Sequence, residues 1–189
     1  MNSLQDFLKM YFDLKNEEIE HIVSFFEEEK LEKNDYFLHK DKICKKMSFI
    51  KDGILRLYSL IDGKEVTQWI ATNGYFISDL DSFTFNKPAR WNIQALTETS
   101  LYTINKGDYD KIGSLIPNWK DIENQFLIRC FTMMENRIFR HLSQTAEERY
   151  HSFFNENKEL FNQISLQYIA SMLGMSAETL SRIRNKSNS

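Results

Sequence analysis

Residues 177–186, Ala-Glu-Thr-Leu-Ser-Arg-Ile-Arg-Asn-Lys, interleave apolar and hydrogen-bonding side chains at helical spacing. If Leu180 and Ile183 turn inward, Ala177, Glu178, Ser181, Arg182 and Asn185 are left outward. Those residue types suit the edges of base pairs. A guanidinium grips guanine through two hydrogen bonds, a carboxylate accepts from cytosine, and a serine hydroxyl adapts to either. Arg184 and Lys186, with the polar tail Ser187–Ser189, are natural neighbours of phosphates. Ser176 and Thr179 complete the candidate set. An ordinary structural helix pair accounts for Leu180 and Ile183 but not for the outward chemistry.

To present such a face, the helix must be braced by a second one. Ile169, Ala170 and Leu173 share one face of the preceding stretch, and Ala170 is small where steeply crossed helices come close. Gly174 sits where a chain leaving a helix needs a left-handed residue. Ser176 is placed to cap the second helix, and Glu178 in its first turn suits the helix dipole. Leu166–Asn185 therefore reads as a helix-turn-helix, whose second helix enters a major groove.

Other chemistry is sparse. His21, His39, His141 and His151 are scattered without ligand spacing, so no metal site is expected. Asp79 and Asp81 are a close carboxylate pair with no nucleophile–base arrangement beside them, and an enzyme is not expected. Cys44 and Cys130 cannot frame a disulfide scaffold. With no signal-peptide pattern and no apolar run of membrane-spanning length, a cytoplasmic protein without membrane contact is expected. The net charge of −3 argues against bulk polyanion binding, though a DNA footprint need only be local. From Ser176 onward there are three basic residues and one acidic, a modest footprint.

Residues 1–29 read as helical, with Leu4, Phe7, Leu8 and Tyr11 on one stripe and Ile19, Ile22, Val23 and Phe26 on another. Glu27–Glu29 reads as a solvated charge run closing that segment. Short β-rich runs follow at Tyr36–His39, Met47–Ile50, Ile54–Ile61, Glu65–Ala71, Trp91–Leu96 and Leu101–Ile104. Asp62-Gly63 is the strongest hairpin signal. Such spacing predicts an antiparallel sandwich or barrel, in keeping with fifteen Phe, eight Tyr and three Trp. Pro117 opens a long helix reaching about Leu142. Ile122, Phe126, Arg129, Met133 and Asn136 recur on it as a coiled-coil seam would, which assigns them to a partner subunit. Trp119, Leu127, Cys130, Met134 and Ile138 are then left for the chain's own sheet. Ser143–Asn162 reads as a further helix.

This layout resembles the Crp/Fnr superfamily of bacterial transcription regulators over the whole chain. The likeness rests on Phe49–Tyr58 (FIKDGILRLY), similar to the family's barrel hairpin, and on Gly174–Ile183 (GMSAETLSRI), similar to its recognition helix. The resemblance implies an α+β fold: N-terminal helices, an antiparallel β-barrel or jelly roll, a long dimerisation helix, and a C-terminal helix-turn-helix domain with little or no wing. It implies a cyclic-nucleotide-binding-like sensory domain at 1–116, a central helix at 117–142 and a DNA-binding domain at 143–189. It also implies a homodimer on double-stranded DNA, Glu178 and Arg182 reading bases, and, for an activator, contact with RNA polymerase. Ala177 stands where some members carry a further arginine.

The effector region implied by the resemblance is Phe76, Ser78, Asp79, Leu80, Ala89, Arg90 and Trp91. Ser78 replaces the family's glycine, Asp79 is shorter than its glutamate, and Ala89 falls on its arginine position with Arg90 one residue late. A one-residue shift in a strand turns a side chain to the other face. A cyclic nucleotide is therefore disfavoured and the effector unknown, with neither iron–sulfur cluster nor haem expected. The rival reading is a ligand-binding or scaffold module whose terminal helices engage protein.

Overall fold

The computed structural model describes residues 2–12 and 14–187. Two helices, α1 (Asn2–Tyr11) and α2 (Asn16–Ser24), precede eight strands. These are β1 (Glu27–Leu31), β2 (Tyr36–Leu38), β3 (Lys46–Asp52), β4 (Leu55–Ile61), β5 (Lys64–Ala71), β6 (Phe76–Ile77), β7 (Asn92–Ala95) and β8 (Thr99–Asn105). A short helix, α3 (Leu80–Phe85), lies between β6 and β7. The strands form two four-stranded antiparallel sheets, β1-β8-β3-β6 and β2-β7-β4-β5, so the expected jelly roll is present. Asp62 and Gly63 both adopt positive φ (50° and 76°) between the paired residues Ile61 and Lys64. That is the two-residue hairpin turn whose twist matches its strands.

One expectation fails early. Glu27–Glu29 is not the end of a helix but the start of β1, with Glu29 opposite Leu101. An edge strand with polar outer side chains lacks the alternation that reveals a half-buried one. Its charges are used: Glu28 pairs with Lys51 at 3.2 Å and Glu29 with Lys46 at 2.5 Å. Charged edges also discourage pairing with further chains.

Six described helices follow: α4 (Lys106–Leu115), α5 (Trp119–Ser143), α6 (Ala146–Glu156), α7 (Leu160–Gln163), α8 (Leu166–Met172) and α9 (Ala177–Ser187). The helix expected over Ser143–Asn162 is two helices. Thr145 and Glu148 form a capping box that starts α6 afresh, with Thr145 N–H donating to the Glu148 carboxylate at 2.8 Å. No described helix is long and apolar enough to cross a membrane.

The barrel core gathers Phe49, Ile50, Leu55, Ile93, Leu101 and Ile104 beneath α1 and α2. A second core joins Tyr150, Phe161, Ile169, Ala170, Leu180 and Ile183, and takes in Ile54, Ile70 and Leu96 from the barrel. The C-terminal helices are thus seated on the sheet. Thr67 N–H of β5 donates to Ser171 Oγ of α8 at 2.9 Å. Beside it lies Arg56, 1% exposed, bonded to Glu65 at 2.6 Å and to Thr67 Oγ1 at 2.9 Å. Its guanidinium lies 4.3 Å from the Tyr58 ring centre and 3.7 Å from that of Tyr168 on α8.

The expected seam of α5 turns toward the chain's own fold, while of the set expected there Trp119 packs on Tyr109 as read. Ile122 is buried in the chain's own core, Phe126 packs on Phe12 and Phe76, and Arg129 donates to the Tyr11 carbonyl at 3.1 Å. Met133 and Asn136 face the gap toward β5 and α6. Leu127, Phe131, Met134 and Ile138, at four- and three-residue steps, are left exposed. Periodicity marks two apolar faces on one helix but not which meets the barrel. Phe76 and the N-terminal helices settle that here by offering the Phe126 face an aromatic bed.

Candidate nucleic-acid interface and effector region

The turn before α9 is built as its sequence requires. Gly174 takes φ 68°, its N–H donates to the Ser171 carbonyl at 3.1 Å, and Met175 N–H reaches back to the Ala170 carbonyl at 3.0 Å. This pair of bonds satisfies the last carbonyls of α8 and needs a left-handed residue between them. Ser176 Oγ accepts the Thr179 N–H at 3.2 Å and lies 3.2 Å from Thr179 Oγ1. Ser176 and Thr179 are thereby engaged in the cap, and Thr179 is half-buried.

With Leu180 and Ile183 in the core, Ala177, Glu178, Ser181, Arg182 and Asn185 line one shallow, open concavity. All five residues expected to face outward are brought together. The Glu178 carboxyl is held below the ordinary carboxylate range by its own backbone N–H and by Ser176, so it is an ionised acceptor at neutral pH. Two flanking residues differ from expectation. Lys186 reaches Glu147 of α6 at 3.2 Å, a weak exposed pair, and Arg184 is half-buried. Asn188 and Ser189 lie outside the described residues, and nothing is described of the Ser187 side chain.

The implied effector residues do not converge on one lining. Phe76 packs among Phe7, Phe26, Phe49 and Phe126. Ser78 donates to the Lys46 carbonyl at 3.1 Å. Asp79, 2% exposed, caps α3 by accepting Ser82 N–H at 3.1 Å and takes Arg90 N–H at 2.8 Å on its other oxygen. Both oxygens are therefore bound by backbone. Ala89 is buried and exchanges backbone bonds with Asp41 and Lys42. Leu80 and Arg90 are exposed, and the Arg90 guanidinium lies 5.7 Å from the Trp91 ring centre. The segment is braced as a structural corner. Aspartate is short enough to cap the following helix, whereas a longer carboxylate would reach past it.

Sequence reasoning missed the Arg56–Tyr168 stack, whose partners stand over a hundred positions apart. It also missed a cavity walled by β5, α5 and α6, which no local motif marks.

Residues 28–114 match the family described as cyclic nucleotide-binding domain. No curated protein matches. Among solved structures, the global regulator CLP of Xanthomonas campestris, described as c-di-GMP responsive, superposes with TM-score 0.71 at 13% identity, covering 92% of each chain. FixK2 of Bradyrhizobium japonicum gives 0.70 at 18% identity, over 85% of this chain and 83% of its own. The catabolite activator protein of Thermus thermophilus gives 0.55 at 18%, over 94% and 85%. With its jelly roll, long α5 and terminal α8–α9 pair in that order, the chain has the fold of these three proteins, as the resemblance to the Crp/Fnr regulators implies, and its residues 28–114 match the cyclic nucleotide-binding domain.

Proposed function

We propose that this protein is a DNA-binding transcription regulator, acting as a homodimer on an inverted-repeat site and responding to a small effector. In this reading residues 1–116 sense, 117–142 pair the subunits and 143–189 read DNA. One observation carries it: the outward face of α9 collects an acceptor, an adaptable hydroxyl and an exposed guanidinium in one open concavity, on a helix braced from behind. Those groups suit base edges, and nothing in the packing of the C-terminal core requires them there. The uncovered Leu127, Phe131, Met134 and Ile138 of α5 supply the subunit seam. Two recognition helices about 34 Å apart then meet successive major grooves.

The test is selection from a random duplex library at low and moderate salt with the whole chain. Enrichment of an inverted repeat with half-sites one helical turn apart is expected. The c-di-GMP response described for CLP makes cyclic dinucleotides natural first additions to that selection. Arg182→Ala should lose site preference, by about 1–3 kcal/mol per contacted base, while remaining dimeric. Unchanged preference in that variant would remove α9 as the reading helix. No enrichment under any addition, or in cell extract, would favour a module whose terminal helices bind protein.

A further inference from the structure

Where the barrel meets the C-terminal helices there is a cavity of about 530 Å³. That volume suits a small organic molecule. Trp69 and Ile70 of β5 form one wall, Met133 and Arg137 of α5 a second, and Arg149 and Phe153 of α6 a third. None of Phe76, Ser78, Asp79, Leu80, Ala89, Arg90 or Trp91 lines it.

Its charge is lopsided. Four arginines and His141 line the cavity, with Glu156 the one carboxylate among the lining residues. Three arginines have partners: Arg129 bonds the Tyr11 carbonyl, Arg140 lies 3.6 Å from Glu156, and Arg149 donates to the Leu173 and Gln144 carbonyls. Arg137 has no carboxylate or carbonyl partner among the described residues. Its guanidinium lies 5.2 Å from the Trp69 ring centre. A half-buried cation without a counter-ion is costly, and an anion arriving there relieves that cost.

A second observation is independent of charge. Gln144 Oε1 is buried and has no hydrogen-bond partner, and Gln144 lines the same cavity. Buried acceptors in native proteins are nearly always satisfied, so this one is placed for a donor brought from outside.

We propose that this junction binds a small organic anion with a flat apolar body. Its carboxylate or phosphate pairs with Arg137, its ring system lies against Trp69, and a hydroxyl or amino group donates to Gln144. The walls belong to the barrel, the long helix and the first helix of the C-terminal unit. A molecule seated among them favours the arrangement that holds all three together. The binding claim does not depend on the DNA-reading proposal and is tested without DNA.

The experiment is calorimetric titration of the whole chain with three probes: 6-hydroxy-2-naphthoate, 2-naphthoate and 2-naphthol. The first should bind saturably at one per chain. Removing the hydroxyl should weaken it several-fold, and removing the carboxylate tenfold or more, about 1.4 kcal/mol. Arg137→Met should reproduce the tenfold loss, Arg137→Lys should retain part of the affinity, and Gln144→Leu should erase the advantage of the hydroxyl. If Arg137→Met fails to fold, the comparison of 2-naphthoate with 2-naphthol on the unaltered chain decides. Equal affinity for those two, no saturation at about 1 mM, or an Arg137→Met protein that binds as before overturns the proposal.

Discussion

Arg56 and Tyr168 tie the barrel to the helix-turn-helix, and the strength of that tie is open to measurement. Arg56 is 1% exposed and its guanidinium sits 3.7 Å from the Tyr168 ring centre. A cation over an aromatic face contributes about 0.5–1 kcal/mol when exposed and about 2 when desolvated. Arg56 is sealed from water and Tyr168 is partly open, which places the pair at about 1–2 kcal/mol. Glu65 does not confuse the comparison, because its side chain is 41% exposed and regains water when Arg56 is removed. The perturbation is a double-mutant cycle of Arg56→Met and Tyr168→Leu. It is read by urea unfolding, with circular dichroism and tryptophan fluorescence required to coincide. Arg56→Lys should recover less than half of the coupling, since an ammonium lacks the planar stacking surface. A coupling energy below about 0.3 kcal/mol would show that the stack contributes nothing measurable to seating α8 on the sheet.

Gly53→Ala should be far more damaging than Gly174→Ala. A Cβ at Gly53 would stand 2.5 Å from Thr99 Oγ1 and 2.6 Å from the Glu98 carbonyl at φ 101°, whereas at Gly174 it meets only His141 at 3.5 Å. The expected costs are more than about 3 kcal/mol and about 1–2 kcal/mol, and similar melting temperatures for the two variants would refute the comparison. Phe131→Asp, at a position 65% exposed on the uncovered face of α5, should convert a dimer to monomer in analytical ultracentrifugation and leave monomer stability within about 0.5 kcal/mol. An unaltered dimer would place the seam elsewhere. Burial, then the charges of Arg137 and Arg149, hold the His141 imidazole below its ordinary 6.5. The unfolded chain takes up that proton first, so the associated stability is complete above pH 6.5 and is lost as pH falls from there toward the folded pKa. His141→Gln should flatten that part of the stability profile, and an NMR midpoint above 6.5 would contradict the environment described.

Local chemistry in the sequence determined a good deal. Gly174, Ser176, Leu180 and Ile183 define the turn, cap and inner face of the terminal pair because each acts within a few residues of itself. Asp62-Gly63 likewise fixes its hairpin through two backbone angles. Tertiary structure decided what depends on distant partners. The acidic run Glu27–Glu29 is a strand because β8 receives it, the outward face of α5 follows from where Phe76 and the N-terminal helices lie, and Asp79 serves a backbone corner rather than a ligand lining. The same is true of Arg56 under Tyr168 and of the cavity around Arg137. A residue's type and its near neighbours set its conformational preference and the face it shares. Which surface covers that face depends on chain segments far away in sequence, and only their packing can choose among several apolar or charged matches.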